Sequence, residues 1–386
     1  MEKEIYNYAL DADEETLKQF ENCYSQNFVT AAALMPDAHK GYAAPIGAVL
    51  ITKKFVVPAW VGYDIGCGLI AVHFSPQEKN IDIVKEAKAK AQQIYSAVSK
   101  KVPMGVGEIN KKSSSLSISS SLQFKKILEE FQQDPYNKDV LNYLKTTAPK
   151  HLGTLGGGNH FIELSTDEAQ KELWLVIHSG SRGIGHKVAT RYMIKASGSK
   201  TDYEKTFPLD TSSQIGKEYL NILDFGLKYA LLNRLEMAHR VHKALETILK
   251  TSLKSELWTN KTHNHALAEK GEYIHRKGAT PAKKGERGVI PANMRDGSFL
   301  VEGLGSAKFL HSSSHGAGRT LSRTQAKKQI TLQHFKEEMQ GITGTISQKT
   351  LDEAPDAYKD IFKVMEAQKA SVKSIKHLLP IINWKG

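Results

Sequence analysis

Apolar and polar positions along this chain switch repeatedly between a period of two and a period near 3.6. Helical spacing covers 13–24, 83–98, 122–144 and 214–250. The last of these carries a packing stripe of Leu220, Ile222, Leu223, Leu227, Leu231, Leu232 and Leu235, with a break expected at 224–226. Short β-branched and aromatic runs bounded by turn residues predict strands over 46–52, 55–61, 69–74, 161–164, 173–177 and 378–383. Pro36-Asp37-Ala38-His39-Lys40-Gly41 reads as a loop, and Asp64-Ile65-Gly66-Cys67-Gly68 as a tight turn. The Ser-rich stretch from Lys111 to Ser121 reads as a mobile, solvated surface loop. Helices are expected after Arg319, with a break at Pro355. No linker, repeat or compositional shift divides the chain, so a single α+β domain is expected over residues 1–386.

Composition narrows the class. Of 386 residues 40% are hydrophobic and 24% charged, a globular balance that excludes disorder throughout. No apolar run approaches the roughly 18 residues that a membrane span needs, and the first ten residues show no hydrophobic signal core, so a soluble, cytoplasmic protein with no membrane partner is expected. Two cysteines, Cys23 and Cys67, cannot build a disulfide framework. The formal charge of +12 points toward polyanions. Residues 261–330 hold 13 Lys and Arg against 5 Asp and Glu, which is +8 of that excess, together with His263, His265, His275, His311 and His315. Polyanion binding and reactive chemistry are thus expected in one region.

Four short segments place metal-ligating side chains beside glycine or a polar loop. Asp64 and Cys67 share a Gly-flanked turn; His160 follows Gly156-Gly157-Gly158-Asn159; His178 ends a strand before Ser179-Gly180; His263 precedes Asn264. Carboxylate, thiolate and imidazole suit Mn²⁺, Zn²⁺ or Fe²⁺ better than Mg²⁺, and two ions could share a thiolate. Taken singly, each residue also has an ordinary reading, as a hydrogen-bonded core histidine or a packed cysteine.

Two further segments resemble each other: His178-Ser179-Gly180-Ser181-Arg182-Gly183 and His315-Gly316-Ala317-Gly318-Arg319. Each sets a histidine before small residues, an arginine and a helical run (184–194 and 320–328), the ingredients of a phosphate cradle or of a plain helix cap. No GxxxxGK[ST], GxGxxG or Lys-x-Asp-Gly motif is present, since Met294 stands where Arg295-Asp296-Gly297 would need lysine. A lysine-adenylating ligase is therefore disfavoured. A neutral imidazole such as His315 can instead attack phosphorus and form a high-energy phosphoramidate.

Together, Met35-Pro36-Asp37-Ala38-His39-Lys40-Gly41 with Pro45-Ile46-Gly47, Val61-Gly62-Tyr63-Asp64-Ile65-Gly66-Cys67-Gly68 and Gly153-Thr154-Leu155-Gly156-Gly157-Gly158-Asn159-His160-Phe161-Ile162-Glu163 resemble RtcB-type RNA ligases. So do residues 177–186, His263-Asn264, residues 314–319 and the final Lys385-Gly386. The resemblance implies an α+β fold around a metal and nucleotide cleft. It implies an enzyme that joins RNA 3′-phosphate or 2′,3′-cyclic phosphate ends to 5′-hydroxyl ends, using GTP and two Mn²⁺ ions. It implies Asp64, Cys67, His160, His178 and His263 as metal ligands, with Cys67 bridging, and His315 as the guanylylated nucleophile. Guanine nucleotide contacts would come from Asn159, His160, Phe161, Ile162, Glu163, His263, Asn264, Pro291, Ala292, Asn293, Met294, Ser298, His315, Gly316, Ala317 and Gly318, with Lys385 reaching the base. Asp37 matches a family acid near the metals. Basic residues of 261–328 would hold RNA.

The chain departs from the usual pattern at Tyr63, where valine is common, at the loop from Asn293 to Ser298, and at the added His265. These departures resemble a bacterial RNA-repair branch, which sometimes works alongside a release-factor-like protein. An archease-like activator, which assists many members of the family, is the other partner the resemblance implies, although no segment reads as its docking site. A metal-dependent RNA phosphodiesterase and a catalytically silent RNA binder are the competing readings. Neither needs a guanine pocket, so His315, Glu163 and Lys385 favour the ligase.

Overall fold

The computed structural model describes residues 3–78, 81–111 and 116–386. Its larger sheet has eight strands among the described residues. Seven run in the order Arg287–Pro291, Ser298–Gly303, Val372–Lys385, Phe161–Asp167, Leu173–Ser179, Gly68–Pro76 and Leu253–Thr262, each antiparallel to its neighbour. The eighth, Thr343–Gly344, lies parallel to Val372–Lys385. Trp258 Nε1 donates to the Gly288 carbonyl and Thr259 Oγ1 to that of Arg287, so the sheet curls until its outermost strands meet. Leu69, Phe161, Trp174, Val289 and Leu300 pack in one cluster on one face. The other face rests on the helices Ile83–Ala89, Ala91–Lys101 and Gln214–Leu249 through Ile70, Ile162, Leu175, Val241 and Leu245. A second sheet of five strands runs Glu4–Asn7, Val29–His39, Ile46–Thr52, Glu272–Lys277 and Asn264–Glu269. His263 sits at the joint, between Leu253–Thr262 of the first sheet and Asn264–Glu269 of the second. Mixed helix and sheet of this kind is the expected α+β class. Among the described residues no helix is long and apolar enough to cross a membrane.

Several elements differ from the sequence expectation, each for an identifiable reason. Residues 36–39 continue the strand Val29–His39 instead of forming a loop. Pro36 is accommodated because the ladder with Ile46–Thr52 is interrupted between Leu34 and His39, where no N–H is required. The expected strand 55–61 is Phe55–Val56 followed by a helical turn, Pro58–Val61, with proline at its start. The helix expected over 83–98 divides at Lys90, and that over 122–144 becomes Ile118–Gln133 and Lys138–His151, separated by Pro135 and a left-handed Asn137. The Ser-rich loop is only partly testable, since 112–115 lie outside the described residues. Beyond them, Ser117 caps the helix Ile118–Gln133 and donates to Glu236 at 2.6 Å, so 117–121 is ordered helix start. Near the other end, the helix expected from Thr320 begins at Arg323, behind a Ser322–Gln325 capping box.

The long helix Gln214–Leu249 is continuous through Gly226. A side chain there would come within 2.8 Å of Ile65, so glycine serves the close approach of the Asp64–Gly68 turn and not a break. That approach seats Cys67 and Asp64 against the sheet ends.

Candidate functional site

Strand register gathers the site. Phe161 pairs with His178, and Leu69 with His178 on its other side, which aligns these residues across three strands next to Gly68. On the Val372–Lys385 strand, Lys385 faces Phe161 and Asn383 faces Glu163. Around this end lies a cavity of about 900 Å³, lined by Asn159, Phe161, Glu163, His178, Pro291, Ala292, Asn293, Met294, His315, Gly316, Ala317, Gly318, Asn383 and Lys385 among others.

At one wall, five ligand-type side chains converge. Asp64, Cys67 and His160 form one group and Cys67, His178 and His263 a second, the potential ligand atoms of each lying within 4.8 Å of one another. His160 Nε2 is 2.9 Å from Asp64 Oδ2 and 3.4 Å from Cys67 Sγ. His178 Nε2 is 3.2 Å from Cys67 Sγ and 3.3 Å from His263 Nε2. Backbone carbonyls settle the tautomers, because a carbonyl only accepts. His160 Nδ1 donates to Leu155 and His178 Nδ1 to Asn159, which leaves each Nε2 a bare lone pair. Burial, reinforced by the neighbouring histidines, pushes His178 and His263 well below the ordinary imidazole value and so keeps them neutral. Burial and the Asp64 carboxylate push the Cys67 thiol well above its usual value. Lone pairs, a carboxylate and a sulfur aimed at one another repel unless cations lie between them. The donor set therefore fits divalent cations, with Cys67 common to both groups and held as thiolate when a metal binds. Arg234, fully buried in the long helix, donates from Nη1 to the Gly66 and Ser179 carbonyls and so ties both ligand-bearing turns together.

His315 stands beside this cluster, its ring centroid 4.8 Å from that of His263. Its Nδ1 donates to Asp37 Oδ2 at 2.7 Å, and the same oxygen accepts the backbone N–H groups of His315 and Gly316 at 3.1 and 3.2 Å. Burial alone would raise the fully buried Asp37 carboxyl, but its hydrogen-bonded partner His315 holds it below the ordinary carboxylate value. The Nδ1–H tautomer leaves His315 Nε2 free to act as a nucleophile. Gly318, with φ of +76°, presses against the Asp37 carbonyl, where any side chain would collide.

At the opposite end, Glu163 Oε1 accepts from Ser165 at 2.8 Å and from Ser298 at 3.1 Å, and burial raises the Glu163 carboxyl to about 7. Lys385 Nζ pairs with the buried Glu353 at 2.6 Å. Against its burial, Glu353 is held at about 2 by Lys385 and Arg323.

Not every expected contact reaches the cavity. Ile162 points the other way into the core, as alternation along a strand requires. Asn264 is spent on the Asp64 carbonyl and the Gly278 N–H, and Ser298 sits behind Glu163. His160 and His263 belong to the ligand cluster. The added His265 is buried 3.2 Å from Arg276. The basic stretch is not one open face. Arg276 and Lys277 are buried, Lys261 pairs with Glu286, Lys283 with Glu269, and Arg323 and Lys327 with Asp352.

A family profile described as "tRNA-splicing ligase RtcB" matches residues 19–386. The chain belongs to the RtcB family. Similar relatives include the RNA-splicing ligase RtcB of Escherichia coli, 33% identical over 92% of this chain and 90% of that protein. The tRNA-splicing ligase RtcB of Nanoarchaeum equitans is 30% identical over 92% of this chain and 87% of its own. RNA-splicing ligase RtcB homolog 1 of Entamoeba dispar is 28% identical over 96% and 82%. Arg234, Glu353, Arg323 and Asn383 surround the RtcB-type site without having been singled out by sequence. Only Asn383 carried a signal, since it lies two residues before Lys385 and hence on the same strand face.

Proposed function

We propose that this chain is a GTP- and Mn²⁺-dependent RNA ligase that joins 3′-phosphate or 2′,3′-cyclic phosphate ends to 5′-hydroxyl ends through a guanylylated His315. The observation that carries this reading is the Asp37–His315 pair, with His315 lining a nucleotide-sized cavity beside two ligand clusters. When bound by Asp64, Cys67, His160, His178 and His263, two Mn²⁺ ions would supply charge neutralisation for phosphate oxygens.

The remaining chemistry belongs to side chains. His315 Nε2 attacks the α-phosphorus of GTP; a P–N bond forms, the bond to the bridging oxygen breaks, and pyrophosphate departs. Asp37 holds the Nδ1 proton and offsets the positive charge that the ring gains. Glu163, ionised above about pH 7, suits the paired N–H donors on the guanine edge. Lys385, poised on Glu353, supplies a cation at the same end of the pocket. GMP then passes to an RNA 3′-phosphate as a diphosphate, and the 5′-hydroxyl of the second strand displaces it. A cyclic phosphate is first opened to a 3′-monophosphate. Repair of broken RNA in the cytoplasm is the role this reading favours.

The test is to mix a 3′-phosphate RNA with a labelled 5′-hydroxyl RNA, GTP and Mn²⁺, and resolve the products. A joined strand that requires GTP supports the proposal. Joining that is indifferent to nucleotide, or cyclic-phosphate hydrolysis alone, contradicts it.

A further inference from the structure

Tyr63 immediately precedes Asp64 at the ligand cluster, yet it has no part in that cluster. Its ring stacks on His186, with centroids 4.6 Å apart and planes inclined by 15°. His186 is exposed on the first turns of the helix Arg182–Ser197. Tyr42 meets Tyr63 edge to face at 5.6 Å, is 56% exposed, and also lines the cavity. Three rings thus run outward from the metal side of the cleft. Lys277 Nζ lies 5.9 Å from the Tyr42 ring, buried and held by the Ala59 carbonyl, while Lys40, two residues before Tyr42, pairs with Glu15 at 2.7 Å. Glu204 accepts the Tyr63 hydroxyl, which fixes the ring plane.

We infer that Tyr42, Tyr63 and His186 form a stacking platform for unpaired bases of single-stranded RNA flanking an end bound at the ligand cluster. Every base offers a π-face, so a row of aromatic rings binds single strands without reading sequence. The platform rests on the RNA-ligase reading. It adds a location for one strand's bases, and Tyr63, at which this chain departs from the usual valine, is its middle ring.

The probes are two ten-nucleotide RNAs, one with a 5′-hydroxyl and one with a 3′-phosphate. Each carries 2-aminopurine at the second, third or fourth nucleotide from that end, and binding is followed by anisotropy and 2-aminopurine fluorescence. Wild-type protein is expected to quench the probe at one or two of these positions, and the strand that responds names the end held. Tyr63→Val should weaken that RNA about tenfold and abolish quenching, whereas Tyr63→Phe, which keeps the ring, should restore both. His186→Ala should act in the same direction as Tyr63→Val. Replacing the quenched nucleotide by an abasic one should erase the difference between wild type and Tyr63→Val. Tight RNA binding by Tyr63→Val with quenching intact overturns the platform alone. Equal loss in Tyr63→Phe also overturns it, because the hydroxyl contact to Glu204 would then be what matters. Failure of the wild-type protein to bind either RNA overturns the ligase reading as well.

Discussion

Glu163→Gln should make the unliganded protein more stable at alkaline pH while impairing nucleotide binding. The carboxyl is 2% exposed, and burial raises it from an ordinary 4.5 to about 7. A carboxyl raised on folding favours the folded state fully only below its unfolded value, and that contribution is lost as pH rises through the folded value. At pH 8 the shift corresponds to about 3 kcal/mol of destabilisation, shrinking to about 1 kcal/mol or less at pH 5. Glutamine keeps the shape and an oxygen for Ser165 and Ser298 but never ionises. For a chain of this length the entropy of unfolding makes about 3 kcal/mol worth about 4 °C. Thermal unfolding followed by circular dichroism should therefore show Tm of the variant about 4 °C above wild type at pH 8 and within about 1 °C at pH 5. Added GTP should raise the wild-type Tm more than that of the variant if, as proposed, the carboxylate engages the guanine edge. A pH-independent difference, or a variant less stable at pH 8, would refute the reasoning that the pocket holds a costly buried charge in reserve for the nucleotide.

Asp37→Asn should slow formation of the protein–GMP adduct about 100-fold or more while changing GTP affinity by less than about threefold, measured by quench-flow and equilibrium binding. Comparable losses in both would make Asp37 a structural prop. Cys67→Ala should abolish both adduct formation and stoichiometric Mn²⁺ binding by equilibrium dialysis, and two retained ions would exclude a shared sulfur. Binding of single-stranded RNA should weaken with salt along a log–log slope steeper than about −2, as several phosphate contacts require; a flat response would mean that the exposed cations face elsewhere.

Much of this molecule was legible in its sequence, for reasons that differ from residue to residue. The helix Glu14–Tyr24 and the strand Ile46–Thr52 follow from periodicity and caps. Asp64, Cys67, His160, His178 and His263 stand out because each is a ligand-type residue in a Gly-rich or polar turn, and the fold brings all five to one wall. Two of the failures share a cause, which is that tertiary contact overrode a local signal. Gly226 reads as a breaker until Ile65 is seen against it, and Pro36 reads as a loop until the interrupted ladder is seen. Glu353 and Arg323 lie in a stretch of short helices and 3₁₀ turns with weak periodicity, so nothing local marks them as partners of Lys385. The charge of residues 261–330 misled in a different way. Counting cannot distinguish a cation in solvent from one that is buried or ion-paired, and Arg276, Lys277 and Lys261 are of the second kind.

The central claim is that His315 Nε2 becomes covalently guanylylated. Incubating the protein with GTP labelled at the α-phosphate and Mn²⁺, then separating protein from nucleotide under denaturing conditions, tests it directly. The expected result is a labelled protein that keeps its label in alkali, loses it in acid as a phosphoramidate must, and is absent in His315→Ala. No adduct in the wild-type protein, or an equal adduct in His315→Ala, would contradict it.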